Sequence, residues 1–298
     1  MIRRIPRQTH DLFLPMKTPA LISSIGLALL AAAPVSHAAI TAYVVDFTGE
    51  FSLEDNFQKG GGGDVVGAAW SATSGVGAGG GISITNTGQN NFYYRPDGDS
   101  SFDFAGLSAG QGFRSAADFR WSDSTATELT VLNLGFAISN TAANALSATG
   151  SIGGSIIRNT TAGITTTLIR LRAGNSTIHS LEFDQAALTD ENWYRLTFET
   201  LKSETAGTFN SIVTLYSIGA DGLSAPVLFN DGTTNIVLLG DLAGAGLYSD
   251  TSVSSVYDIR NTNGIDSVDN LNVTMIPEPA SAALLGLGAV VFGLRRRR

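Results

Sequence analysis

From Ile40 to Met275 the chain alternates short hydrophobic runs with clusters of Gly, Asn, Asp and Ser. Alternation of period two puts successive side chains on opposite faces of a strand, whereas an amphipathic helix repeats its apolar positions every three to four residues. The segment WYRLTFETL (193–201) alternates most cleanly. Trp193, Arg195, Thr197 and Glu199 fall on one face, and Tyr194, Leu196, Phe198 and Thr200 on the other. Helical periodicity is not sustained anywhere in this body, and no strand–helix–strand spacing occurs. The pattern predicts strands at 40–47, 81–86, 91–95, 113–121, 128–139, 155–159, 165–173, 177–184, 193–201, 211–218, 225–229, 235–240, 254–260 and 267–275. That many strands without helices between them predicts one all-β antiparallel sandwich or barrel over residues 39–275. The stretches KGGGGD (59–64) and SGVGAGGG (74–81) bracket an apolar patch ending at Trp70 and, by composition, predict flexible loops.

The two ends follow other patterns. LISSIGLALLAAA (21–33) is an apolar run of signal-peptide length behind Arg3, Arg4, Arg7 and Lys17, and PVSHAA follows it. Ser36 and Ala38 satisfy the small-x-small rule, so residues 1–38 predict a secretory signal peptide cut by signal peptidase between Ala38 and Ala39. A start at Met16 would give a tighter basic region. At the other end Ala280–Leu294 is uncharged over fifteen residues. As a helix it reaches about 22 Å, short of a hydrocarbon core of about 30 Å. Four arginines, Arg295, Arg296, Arg297 and Arg298, follow as a cytoplasmic stop. Pro277 and Pro279 disfavour helix just ahead of the apolar run.

Pro277-Glu278-Pro279, the apolar stretch 280–294 and the arginine tail together resemble the PEP-CTERM sorting signal of Gram-negative bacteria, here spanning residues 276–298. The resemblance implies processing by an exosortase and transient anchoring through the single C-terminal transmembrane helix. It further implies an inner-membrane intermediate, then delivery to the outer cell surface or extracellular matrix, in association with exopolysaccharide. ENWYRLTFETL followed by NSIVTLYSIGADG, DFRW (118–121) followed by ELTVLNLGF, and the closing SVDNLNV resemble strand pairs of the concanavalin A-like, laminin-G-like jelly roll. That fold implies a sheet and rim loops suited to glycans.

Charge narrows the partners. Between residues 39 and 279 there are ten basic against twenty-five acidic residues, a net of −15, whereas the whole chain carries −8. Such a body is unsuited to nucleic acid, whose phosphates need Lys and Arg. Cysteine is absent, so neither a disulfide nor a thiolate metal site can form. Gly106-Leu107-Ser108-Ala109-Gly110 satisfies G-x-S-x-G, but no helix is predicted after it and His179 is the one histidine of the body. Gly75-Val76-Gly77-Ala78-Gly79-Gly80 satisfies G-x-G-x-x-G outside any strand–helix unit. Glu182 and Asp184 fall two apart on a predicted strand without the paired-carboxylate motif of a glycan hydrolase. These readings predict a non-enzymatic protein without catalytic residues, structural or adhesive in association with exopolysaccharide; a specific carbohydrate-binding module of jelly-roll fold is the alternative, and a secreted polysaccharide hydrolase the third reading. His179 alone cannot hold zinc. A structural calcium ion, which takes hard oxygen ligands, is the metal the sequence allows, with Asp46, Asp266 and Asp269 as candidate ligands near the first and last strands; turn and edge aspartates are the alternative. Tyr93, Tyr94, Trp121, Trp193 and Tyr194 are candidates to stack on sugar rings, one or two of them expected at the surface and the rest in the core.

Overall fold

The computed structural model describes residues 42–45, 47, 57–59, 68–84, 89–94, 102–127, 129–138, 150–260 and 264–277. Among these the strands are β1 (Ala42–Val45), β2 (Phe57–Lys59), β3 (Ala68–Ser71), β4 (Gly81–Ile84), β5 (Gln89–Tyr94), β6 (Gly112–Trp121), β7 (Thr130–Ala137) and β8 (Ile152–Thr161). They continue with β9 (Ile164–Ala173), β10 (Ser176–Phe183), β11 (Trp193–Lys202), β12 (Thr208–Gly219), β13 (Val227–Leu228), β14 (Val237–Ala243), β15 (Ser254–Arg260) and β16 (Ile265–Ile276). Each of the fourteen predicted runs overlaps one of these strands, and β2 and β3 are additional.

Every pairing is antiparallel. One sheet runs β13–β12–β11–β6–β16–β4–β3, with β1 beside β16 and β14 beside β12; the other runs β10–β9–β8–β7–β15–β5–β2. The chain crosses from sheet to sheet at β1–β2–β3, at β4–β5–β6–β7, at β10–β11 and at β14–β15–β16, which gives an antiparallel jelly-roll sandwich. The first and last strands are neighbours, Ala42 opposite Thr274 and Val45 opposite Leu271.

Alternation decides which face is buried. In β11, Tyr194, Leu196 and Phe198 point into the sandwich while Arg195 and Glu199 face out, as the sequence pattern predicts. Phe136 of the facing sheet meets Phe198 at a ring-centroid distance of 6.2 Å, Phe104 at 5.2 Å and Phe102 at 5.8 Å. Phe104 also touches Phe113 at 5.0 Å and Phe209 at 5.7 Å, so six phenylalanines form a continuous centre. The sheets approach closely at Gly154, where a Cβ would come within 2.2 Å of Val213 Cγ2. At one end Lys202 Nζ donates to the carbonyls of Phe104 and Ala105 at 3.0 and 3.2 Å and lies 4.2 Å from the ring centre of Tyr248. Burial lowers the Lys202 pKa from its ordinary value.

Candidate functional site

At one end of the first sheet two loops enclose a groove of about 400 Å³, within the ~300–1,000 Å³ usual for small-molecule sites. One loop joins β3 to β4 and contains the glycine-rich stretch; the other joins β12 to β13. Composition predicts flexibility for the first, yet it is tightly folded. Gly75 N donates to Gly79 O at 2.8 Å, Gly79 N to Val76 O at 3.1 Å and Gly77 N to Asp221 O at 2.7 Å. Close approach requires the glycines. A Cβ on Gly75 would lie 1.9 Å from Gly80 O, and one on Gly80 would lie 2.0 Å from Phe47 O. Gly77 also has φ +64°, a left-handed conformation costly for other residues.

Asp269 fixes this loop to the sheet. Its Oδ2 accepts from Val76 N at 2.9 Å and its Oδ1 from Asn270 N at 2.7 Å. Asn270 has φ +50° at an irregularity in the β16 ladder, and its Nδ2 donates to Asp118 Oδ2 at 2.8 Å. Asp118 is 0 % exposed although it stands on the outer face of β6, because Arg195 clamps it with Nε and Nη2 at 2.6 and 2.8 Å. That pairing raises the Arg195 pKa above its ordinary value. Beside it Arg120 donates to both oxygens of Asp266 at 2.8 and 2.5 Å and lies 3.3 Å from Glu191. The hydrogen bond to Asp266 raises the Arg120 pKa too. A polar ladder thus supports the groove floor, which Arg120 and Trp193 line.

The second loop supplies the apolar wall. Leu223 is 69 % exposed, and its methyl groups stand 3.3 to 3.4 Å from where a Cβ on Gly77 would be. Asp221 Oδ1 accepts from Leu223 N at 3.0 Å and shapes the turn. Gly222, at φ +73°, lets the backbone pass over the Trp193 indole, 3.1 Å from its Cγ to a would-be Cβ. One exposed apolar wall, with a guanidinium and a carboxylate beside it over a buried indole, can hold a small ligand with one apolar face and several hydroxyls.

The predicted site residues are distributed as follows. Of the calcium candidates, Asp46 lies outside the described residues, Asp266 faces a guanidinium with both oxygens, and Asp269 accepts backbone amides. A cation at Asp266 would compete with Arg120, so that residue does not fit a calcium ligand set. Among the described residues no group of three or more His, Asp or Glu side chains could hold a metal ion. Of the stacking candidates, Trp121, Trp193 and Tyr194 are buried, and the side chains of Tyr93 and Tyr94 fall outside the described residues. Tyr194 is a core residue whose hydroxyl accepts from Thr189 N at 2.7 Å, and burial raises its pKa.

The G-x-S-x-G match at 106–110 runs straight into strand β6, with Gly110 N donating to Lys202 O at 2.8 Å, so the strand-to-helix elbow is not formed there. Glu182 and Asp184 line a separate threonine-rich groove of about 400 Å³, where Asp184 caps the turn Gln185–Ala187 by accepting from Ala186 N at 2.9 Å. His179 is exposed on β10 with its ring against Gly240 of β14. Pro277 is exposed directly after β16, whereas Ala38, Ala39, Glu278, Pro279, the stretch 280–294 and Arg295–Arg298 lie outside the described residues. Among the described residues no helix is long and apolar enough to cross a membrane. Sequence reasoning did not single out Asp118, Arg120, Arg195, Asn270 or Leu223. The signal available was the row of charged residues on the outer faces of DFRW and WYRLTFETL.

Comparison with known proteins adds two findings. Residues 276–298 match the PEP-CTERM protein-sorting motif. In structure, lectin II from Ulex europaeus superposes with a TM-score of 0.50 at 11% identity, covering 80% of this chain and all of the lectin. The same values hold for lectin UEA-II complexed with galactose. Winged bean acidic lectin complexed with methyl-α-D-galactose gives 0.46 at 8% identity, over 79% of this chain and 100% of its own. The likeness is one of fold, the lectin jelly roll. No curated protein matches the chain in sequence.

Proposed function

We propose that this chain is an exported, non-enzymatic surface or matrix protein that adheres to saccharide through the groove between its β3–β4 and β12–β13 loops. The observation that carries the reading is the make-up of that groove: Leu223 exposed over Gly77, the Trp193 indole below, and Arg120 and Asp221 at the sides. A pyranose has an apolar face for the exposed leucine and hydroxyls for the charged groups. A fold shared with a galactose-bound lectin supports a sugar as ligand. Exopolysaccharide is the saccharide that fits a chain sorted to the cell exterior.

The test is a glycan-binding measurement on the full-length chain. Saturable binding is expected, with Leu223→Ser weakening it about tenfold through lost apolar contact while leaving the melting temperature within a degree or two of the parent. Undiminished binding by that variant would remove the groove from the reading.

Sorting rests on the C-terminal match. In this proposal an exosortase acts at Pro277-Glu278-Pro279 after signal peptidase has cut between Ala38 and Ala39; 280–294 spans the inner membrane transiently, and Arg295–Arg298 hold the cytoplasmic side. Replacing the three residues 277–279 by alanine is expected to leave the chain uncleaved in the membrane fraction. Release into the medium at the parental rate would contradict it.

A further inference from the structure

The outer face of the second sheet carries two arginines that form no ion pair among the described residues, although the carboxylate of Asp258 acts on both from a distance. β9 turns Ile169 and Leu171 into the core, so alternation places Arg170 and Arg172 on the opposite face. Arg170 Nε donates to the hydroxyl of Ser155 at 2.7 Å. Arg172 is only 7 % exposed, yet its Nε meets no acceptor, and its Nη2 reaches Asn175 Oδ1 only at 3.5 Å. The arginine ion pairs among the described residues all stand on the first sheet: Arg114 with Glu199, Arg120 with Glu191 and Asp266, and Arg195 with Asp118.

Strand register explains the isolation. Arg172 lies opposite Gly153, then Gly135, then Val256 on one side, none of which has a polar side chain, and opposite Thr177 of β10 on the other. Arg170 lies opposite Ser155, then Asn133, then Asp258. Asn133 Nδ2 donates to Asp258 Oδ2 at 2.7 Å, while Asn133 Oδ1 is buried and receives no donor. A desolvated guanidinium without an anion is unfavourable, and two like charges on one strand face repel. Burial first, and then the neighbouring charge of Arg172, lower the Arg170 pKa to about 10, with Asp258 opposing. Among the described residues no acidic side chain is an ion-pair partner of either arginine.

We propose that Arg170, Arg172 and Asn133 form a second binding site, for a carboxylate-bearing sugar such as the uronate residues of an acidic polysaccharide. The guanidiniums take the carboxylate, and Asn133 Oδ1 accepts a sugar hydroxyl. Partly exposed Arg170 is the point of entry. The anion requirement stands on these residues alone; the choice of a sugar to carry it rests on the saccharide reading above.

Calorimetry and thermal melting of the full-length chain with glucuronate, galactose or sodium sulfate at constant ionic strength test the site. Glucuronate is expected to raise the melting temperature more than sulfate does. Arg172→Gln and Arg170→Gln should each weaken glucuronate about ten- to hundredfold, the loss of a charge-assisted hydrogen bond. Without ligand, Arg172→Gln should melt at or above the parent, because a buried unpaired charge is gone. Galactose, which has no carboxylate, should be weakened by Leu223→Ser and not by Arg170→Gln or Arg172→Gln, which separates failure here from failure of the groove. The proposal is overturned if glucuronate gives no shift, if both variants bind it as the parent does, or if Arg172→Gln alone melts well below the parent. Sulfate matching glucuronate would overturn the sugar assignment, leaving a simple anion site.

Discussion

Arg195→Met should destabilise the sandwich by about 3–5 kcal/mol, seen as a fall of roughly 10 °C in Tm. The reason is an asymmetry within one ion pair. Asp118 is fully buried, whereas the Arg195 side chain is 31% exposed. Removing the arginine strands a carboxylate whose one other partner in view is the amide of Asn270. Removing the aspartate strands a guanidinium that still reaches water, so Asp118→Asn should cost less. The double variant Asp118→Asn, Arg195→Met retains an acceptor for Asn270 and carries no charge. It should recover much of the loss, with a coupling of about 1–3 kcal/mol in the double-mutant cycle. A loss below about 1 kcal/mol for Arg195→Met would show that water or another group already compensates Asp118.

Phe136→Ala carries the second large effect. Its ring meets Phe102, Phe104, Phe113 and Phe198, the last two at 5.9 and 6.2 Å. Truncation loses the transfer free energy of the ring and leaves a void between two sheets that cannot close independently. The expected cost is about 3–5 kcal/mol, with Phe136→Leu costing well under half of that. Urea unfolding should show a lower midpoint at unchanged slope. A loss near 1 kcal/mol would mean that the sheets collapse to fill the space. Because Arg195 and Phe136 lie on opposite sides of the first sheet without common partners, the two losses should add.

The fold was legible in the sequence because a half-buried strand advertises itself by alternation. WYRLTFETL assigned its own inner and outer faces, and the structure keeps that assignment. β2 and β3 were missed for a physical reason. Phe57-Gln58-Lys59 carries two polar residues out of three, and Ala68-Ala69 lacks the branched side chains that mark strands. The site was much less legible. Asp269 was singled out for its carboxylate, and its partner proved to be the amide of Val76, 193 positions away. Trp121 and Trp193 were candidates for their ring type, which does not say whether the ring faces in or out. The glycines at 75 and 80 looked like slack, but backbone crossing at about 2 Å from a would-be Cβ makes them a packing requirement. Contacts between residues far apart in the chain carry no local signature, and the groove is made of such contacts.

The position of β16 has a consequence for when the molecule can assemble. Among the described strands it is the last to be made, yet it sits inside the first sheet, bonded to β6 on one side and to β1 and β4 on the other. Until it arrives, the strands that end up flanking it have no common partner, and the hydrophobic faces they present stay unsealed. A polypeptide still threading through a translocation pore therefore lacks its keystone, and closure of the first sheet must wait for the far end of the chain.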